Sequence, residues 1–84
     1  SQVMTRFPQV LINVKDVNKS KLNSSGAIAS AISEFESQLG GSGRVLVRAS
    51  GTENLVRVMV EAESSETANK IATKIAELVR LELK

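Results

Sequence analysis

Cysteine and histidine are both absent from these 84 residues, as are tyrosine and tryptophan, and proline occurs once. Without cysteine there is neither a disulfide nor a thiolate metal site, which suits a reducing compartment and makes a cytoplasmic location the expectation. Without histidine the chain lacks the commonest general base at neutral pH and the commonest metal ligand. Carboxylates remain as the only obvious proton-transfer groups, and nothing groups them as a catalytic pair. Glu61 and Glu63 form no metal-ligand pattern either, so no catalytic and no metal-binding residues are expected, and an enzyme complete in itself is not. Two phenylalanines are the whole aromatic complement, too few for the base-stacking platforms of sheet-based RNA-binding modules. Eleven Lys and Arg against nine Asp and Glu leave a net charge of +2, too balanced to draw nucleic acid or an anionic membrane by field strength. No apolar run approaches the roughly 20 residues of a membrane span. Any anion site must therefore be local.

What is present is organised by period. Val10 to Val17 alternates, with Val10, Ile12 and Val14 on one face and Leu11, Asn13 and Lys15 on the other, the signature of a half-buried strand. Pro8 suits its entrance. Asn18 to Ser25 is polar and reads as a loop, with Lys15, Lys19 and Lys21 as solvated charges around it; Asn23, Ser24 and Ser25 each suit an N-cap. From Gly26 to Leu39 the residues Ile28, Ala31, Ile32, Phe35 and Leu39 recur at helical spacing. Gly40-Gly41-Ser42-Gly43 ends that helix by offering a residue for the left-handed region. The same stretch fits the Gly-x-x-Gly of an RNA-binding class, but that motif joins two helices and this one leads into a strand.

Val45 and Val47 alternate with Arg44, Leu46 and Arg48, and Val56, Val58 and Val60 with Leu55, Arg57, Met59 and Glu61, giving two strands. Ser64 or Ser65 then caps a helix with Ala68, Ile71, Ala72, Ile75, Leu78 and Val79 on its apolar face, Glu66 in its first turn and Arg80 and Lys84 near its end. Met59 and Phe35 read as core or interface. The order β-α-β-β-α predicts an α+β domain, a mainly antiparallel sheet with two helices on one face. One domain is expected over 1–84.

Between the second and third strands lies Arg48-Ala49-Ser50-Gly51-Thr52-Glu53-Asn54, followed by Arg57. If the strands pair as a hairpin, Arg48 and Arg57 reach the same loop end. Guanidiniums offer planar forks of donors for phosphate oxygens, Ser50 and Thr52 offer hydroxyls, and Gly51 permits a positive-φ turn that brings N–H groups near an anion. An ordinary hairpin loop has the same residue types, and spacing alone does not separate the two readings.

The run from Gly43 to Ala62, Gly-Arg-Val-Leu-Val-Arg-Ala-Ser-Gly-Thr-Glu-Asn-Leu-Val-Arg-Val-Met-Val-Glu-Ala, closely resembles the C-terminal, fourth domain of the α-D-phosphohexomutases. Phe7 to Val14 resembles that domain's first strand. Within the family the similarity is greatest to the bacterial branch interconverting glucosamine 6-phosphate and glucosamine 1-phosphate. The resemblance implies a TATA-binding-protein-like fold and a loop that holds the phosphate of a phosphosugar substrate, a role falling on Arg48, Ala49, Ser50, Gly51, Thr52 and Arg57. It implies that this chain is part of a longer isomerase, inactive alone, whose Mg²⁺, active-site phosphoserine and sugar-reading loops lie in three preceding domains. Those domains and the phosphosugar are then its partners, and Ser50 is not the phosphorylated serine. Two residues depart from the family pattern, which usually has Pro at Asn54 and often at Ala49; neither supplies a charged donor, so a changed turn rigidity and an intact site are expected. A hinge ahead of Phe7 is a further expectation. The other reading is a standalone, non-catalytic module that binds a phosphorylated ligand or a protein.

Overall fold

Alternation produces strand β1, Gln9–Lys15, in which Val10, Ile12 and Val14 turn inward and Leu11, Asn13 and Lys15 outward. The computed structural model describes residues 7–40 and 43–84, apart from the Asn23 side chain. The expected hinge ahead of Phe7 and the Gly41-Ser42 part of the glycine stretch lie outside them. β1 stops at Lys15 because Asp16 takes φ 62, a left-handed conformation that Asp tolerates better than most residues. Val17 is thus not a strand residue, yet it is buried in the core beyond the bend.

The polar stretch after it is not a loop. Lys19–Ser24 forms a 3-10 helix capped by Asn18, whose Oδ1 accepts the Ser20 N–H at 3.3 Å. The local reading missed it because a short 3-10 turn has no apolar period to betray it. Helix α1, Gly26–Leu39, then starts at Ser25, whose Oγ accepts the Ile28 N–H at 3.3 Å. It ends where Gly40, at φ 62, turns its N–H onto the Glu36 and Ser37 carbonyls.

Strands β2, Arg44–Ala49, and β3, Leu55–Glu61, follow, and helix α2, Ser65–Glu82, completes the chain. Ser64 is its N-cap, accepting the Thr67 N–H at 3.1 Å. The sheet order is β1-β3-β2, antiparallel throughout, with β3 central. Both helices cover the face carrying Val14, Val45, Val56, Val58 and Val60. This is the α+β arrangement expected. The helices contribute unequally: α2 buries Ala68, Ile71, Ala72, Ile75, Ala76 and Val79, whereas α1 fully buries only Ile28 and leaves Ile32, Phe35 and Leu39 half-covered. The difference follows from position, since α2 lies over β1 and β3 while α1 lies towards the β2 edge and against α2.

Gly43 enters β2 pressed against β3, where an added Cβ would overlap the backbone carbonyl of Glu61. Backbone on both sides leaves nothing flexible to yield. Gly43→Ala is therefore expected to destabilise the chain by about 1–3 kcal/mol, read as a lower urea midpoint at unchanged slope.

Candidate functional site

The uncovered face of the sheet is built in rows set by register. Asn13, Arg57 and Arg48 form one row across β1, β3 and β2, and Leu11, Met59 and Leu46 form the next. Gln9, Glu61 and Arg44 make the third, tied by an Arg44 to Glu61 ion pair at 3.2 Å. Arg48 and Arg57 are thus direct cross-strand partners beside the turn. Like charges facing each other weaken an antiparallel pair, and neither guanidinium has a carboxylate within salt-bridge distance among the described residues. Arg57 is steadied instead by Asn13, whose Oδ1 accepts from its Nε at 3.2 Å. Sequence reasoning placed Asn13 on this face without giving it a role; only the β1–β3 register shows one.

The turn from Ser50 to Asn54 closes on itself. Ser50 Oγ accepts the Thr52 N–H at 3.3 Å and the Glu53 N–H at 3.1 Å, and the Ser50 N–H donates to the Leu55 carbonyl at 3.0 Å. With its oxygen engaged as an acceptor, Ser50 keeps its hydroxyl hydrogen for an outside acceptor. The N–H groups of Gly51 and Asn54 take no part in these bonds. By alternation Leu55 belongs with Arg57 and Met59 on the polar face, but it is only 5% exposed, beside the turn.

Of the six residues expected to bind phosphate, Arg48, Ala49, Ser50, Gly51 and Arg57 line one concavity of about 230 Å³, with Leu55 as its apolar wall. Thr52 is exposed at the turn and does not line it. A second hollow of about 300 Å³ shares the two arginines with Leu11, Leu46 and Met59. The expectation about Gly51 needs correction. Among described glycines only Gly40 has positive φ, and a Cβ on Gly51 would meet open space. The fold of the free chain does not require glycine there.

Lys19 is the second correction. Far from a solvated charge, its ammonium donates to the Ser50 carbonyl at 2.6 Å and to the Glu53 carbonyl at 2.9 Å. Two guanidiniums, a hydroxyl hydrogen and free N–H groups make a donor set for an oxyanion. They do not suit a divalent cation, and no group of three or more His, Cys, Asp or Glu among the described residues is placed to hold one. No helix among these residues is long and apolar enough to cross a membrane.

A three-stranded antiparallel sheet with two helices on one face and two arginines beside the turn of its hairpin defines a small α+β domain. The chain belongs to the phosphoglucomutase/phosphomannomutase family as its C-terminal domain, with the family profile matching residues 11–78. It is 53% identical over 99% of its length to the phosphoglucosamine mutase of a Nocardioides species, and 54% identical over 95% to that of Streptomyces coelicolor. The chain spans 18% of the length of each of these relatives. Among solved structures it resembles Aspergillus fumigatus N-acetylphosphoglucosamine mutase in complex with GlcNAc-6P and magnesium, with a TM-score of 0.81 and 34% identity over 95% of this chain and 16% of that one.

Proposed function

We propose that this domain grips the phosphate of a phosphosugar, as one part of a phosphoglucosamine mutase that interconverts glucosamine 6-phosphate and glucosamine 1-phosphate. The observation that carries the reading is the direct opposition of Arg48 and Arg57 across β2 and β3, with no carboxylate among the described residues to neutralise them. A dianion between the two forks relieves their repulsion and takes up charge-assisted hydrogen bonds at once. The relatives at about half identity are phosphoglucosamine mutases, and the Aspergillus neighbour is described with a phosphosugar bound, which supports the same ligand class. A mutase of this kind binds a sugar phosphorylated at either end, so a grip on the dianion alone serves both orientations. The phosphoserine and Mg²⁺ chemistry then belongs to other domains of the enzyme, which are this domain's partners.

Titration of the 84-residue chain with inorganic phosphate, followed by NMR, tests this directly. Shifts are expected at Ala49 to Asn54 and at the Arg48 and Arg57 side chains, with weak affinity because nothing encloses the ligand. Shifts confined to residues 15–21, or none at all, refute the reading. Gly51→Ala separates ligand from fold: stability is expected to hold or rise by about 0.4–1 kcal/mol, because the unfolded chain loses freedom and the added Cβ meets open space. Phosphate binding is expected to weaken, since that Cβ stands where backbone and anion approach. Equal phosphate affinity in the variant would show that the ligand does not need glycine there.

A further inference from the structure

We infer that Lys19 is a positioning residue of this anion site, acting on the ligand through the backbone of the turn; the inference rests on the phosphate-grip reading. Its ammonium is held between the carbonyls of Ser50 and Glu53, 31 and 34 residues away in sequence. In a planar trans peptide the C=O of one residue and the N–H of the next point in opposite directions. Drawing the Ser50 and Glu53 carbonyls onto Lys19 therefore aims the Gly51 and Asn54 N–H groups away from it. These are the two turn N–H groups left free by the internal bonds, and Gly51 lines the concavity with the arginines. The Glu53 carbonyl also accepts the Leu55 N–H at 2.9 Å, whereas the Ser50 carbonyl has Lys19 alone among the described residues. Without Lys19 the Ser50–Gly51 plane loses its hold, and a flipped plane presents a carbonyl oxygen to the anion.

The segment that carries Lys19 is itself anchored. The Asp16 N–H donates to the Asn54 carbonyl at 3.1 Å, and the Asn18 N–H donates to the Leu83 carbonyl at 2.6 Å. The bend at Asp16 and the cap at Asn18 thereby deliver Lys19 beneath the turn from a piece of backbone fixed to the end of α2. A fixed positive charge behind the peptide planes also adds to the field of Arg48 and Arg57 at the concavity. Lys21 lies two residues further on and donates to the Lys84 carbonyl at 3.1 Å, away from the turn. It carries the same charge without the same geometry.

The test compares the 84-residue chain with Lys19→Met, Lys19→Arg and Lys21→Met by phosphate titration under NMR observation, with the dispersed β3 and α2 signals reporting the fold of each. Lys19→Met is expected to raise the dissociation constant for inorganic phosphate roughly fivefold, the scale of one supporting hydrogen bond, and to move the Gly51 and Asn54 amide signals of the free protein. Lys19→Arg is expected to recover most of the affinity, because its fork can reach both carbonyls. Lys21→Met should leave affinity within about twofold, as a distant exposed charge is screened by salt. Lys19→Met binding as tightly as the wild type, or Lys21→Met weakening binding as much as Lys19→Met, would overturn the positioning role. A wild-type chain showing no shifts in the turn instead refutes the phosphate grip itself.

Discussion

Arg48→Ala is expected to raise the dissociation constant of this chain for inorganic phosphate by at least about tenfold, the loss of one charge-assisted hydrogen-bonding group at roughly 1.5–3 kcal/mol. In a full-length mutase of the kind proposed, the same change should lower kcat/KM by about 10²–10³, as removal of one preorganised donor does elsewhere. Stability should not fall with it. Arg48 is exposed and faces Arg57, so its removal takes away a like-charge contact and no core packing. A binding loss with unchanged or slightly higher Tm is the signature expected. Unchanged phosphate affinity and unchanged kcat/KM would remove the central residue of the site. Arg48→Lys is not a neutral control, since a point charge does not reproduce the planar fork.

The largest stability effect is expected at Ile75→Ala. Ile75 is fully buried near the middle of the α2 face and packs into the core formed with β1 and β3. Truncating such a residue costs about 2–5 kcal/mol through lost burial and the cavity left behind. An 84-residue chain has on the order of 4–13 kcal/mol in all, so this single change consumes a large share and should lower Tm by at least about 10 °C. Ile32→Ala in α1 provides the contrast: Ile32 is only partly buried, and its truncation should cost clearly less, by urea unfolding of both variants. Equal costs would contradict the unequal roles of the two helices.

Much of this molecule was legible from local pattern because the forces that set it are local. Alternation marked the three strands and helical spacing marked both helices. Ser25 was among the caps expected for α1, and Ser64 for α2, because a hydroxyl next to orphan N–H groups acts within three residues. The glycine stretch from Gly40 to Gly43 was expected to end α1 for an equally local reason, access to positive φ, and Gly40 is the residue that takes it. The 3-10 helix at Lys19–Ser24 was not visible, having no apolar period. Asp16 carried no marker for its left-handed bend, since Asp adopts that conformation in some contexts and not in others.

The sequence by itself determined which segments become the three strands and the two α-helices, and that two arginines flank a turn of hydroxyl and glycine residues. Only the tertiary structure decided that β3 lies between β1 and β2, which sets Asn13 against Arg57 across a gap of 44 residues and opposes Arg57 to Arg48. It also decided that Leu55, beside the turn it follows, is buried and that Lys19 holds that turn through two of its carbonyls. The physical reason is one of range. Periodicity and capping are interactions between near neighbours in the chain, whereas the site is made of hydrogen bonds and charge oppositions between residues whose proximity exists only once the sheet has chosen its order and register.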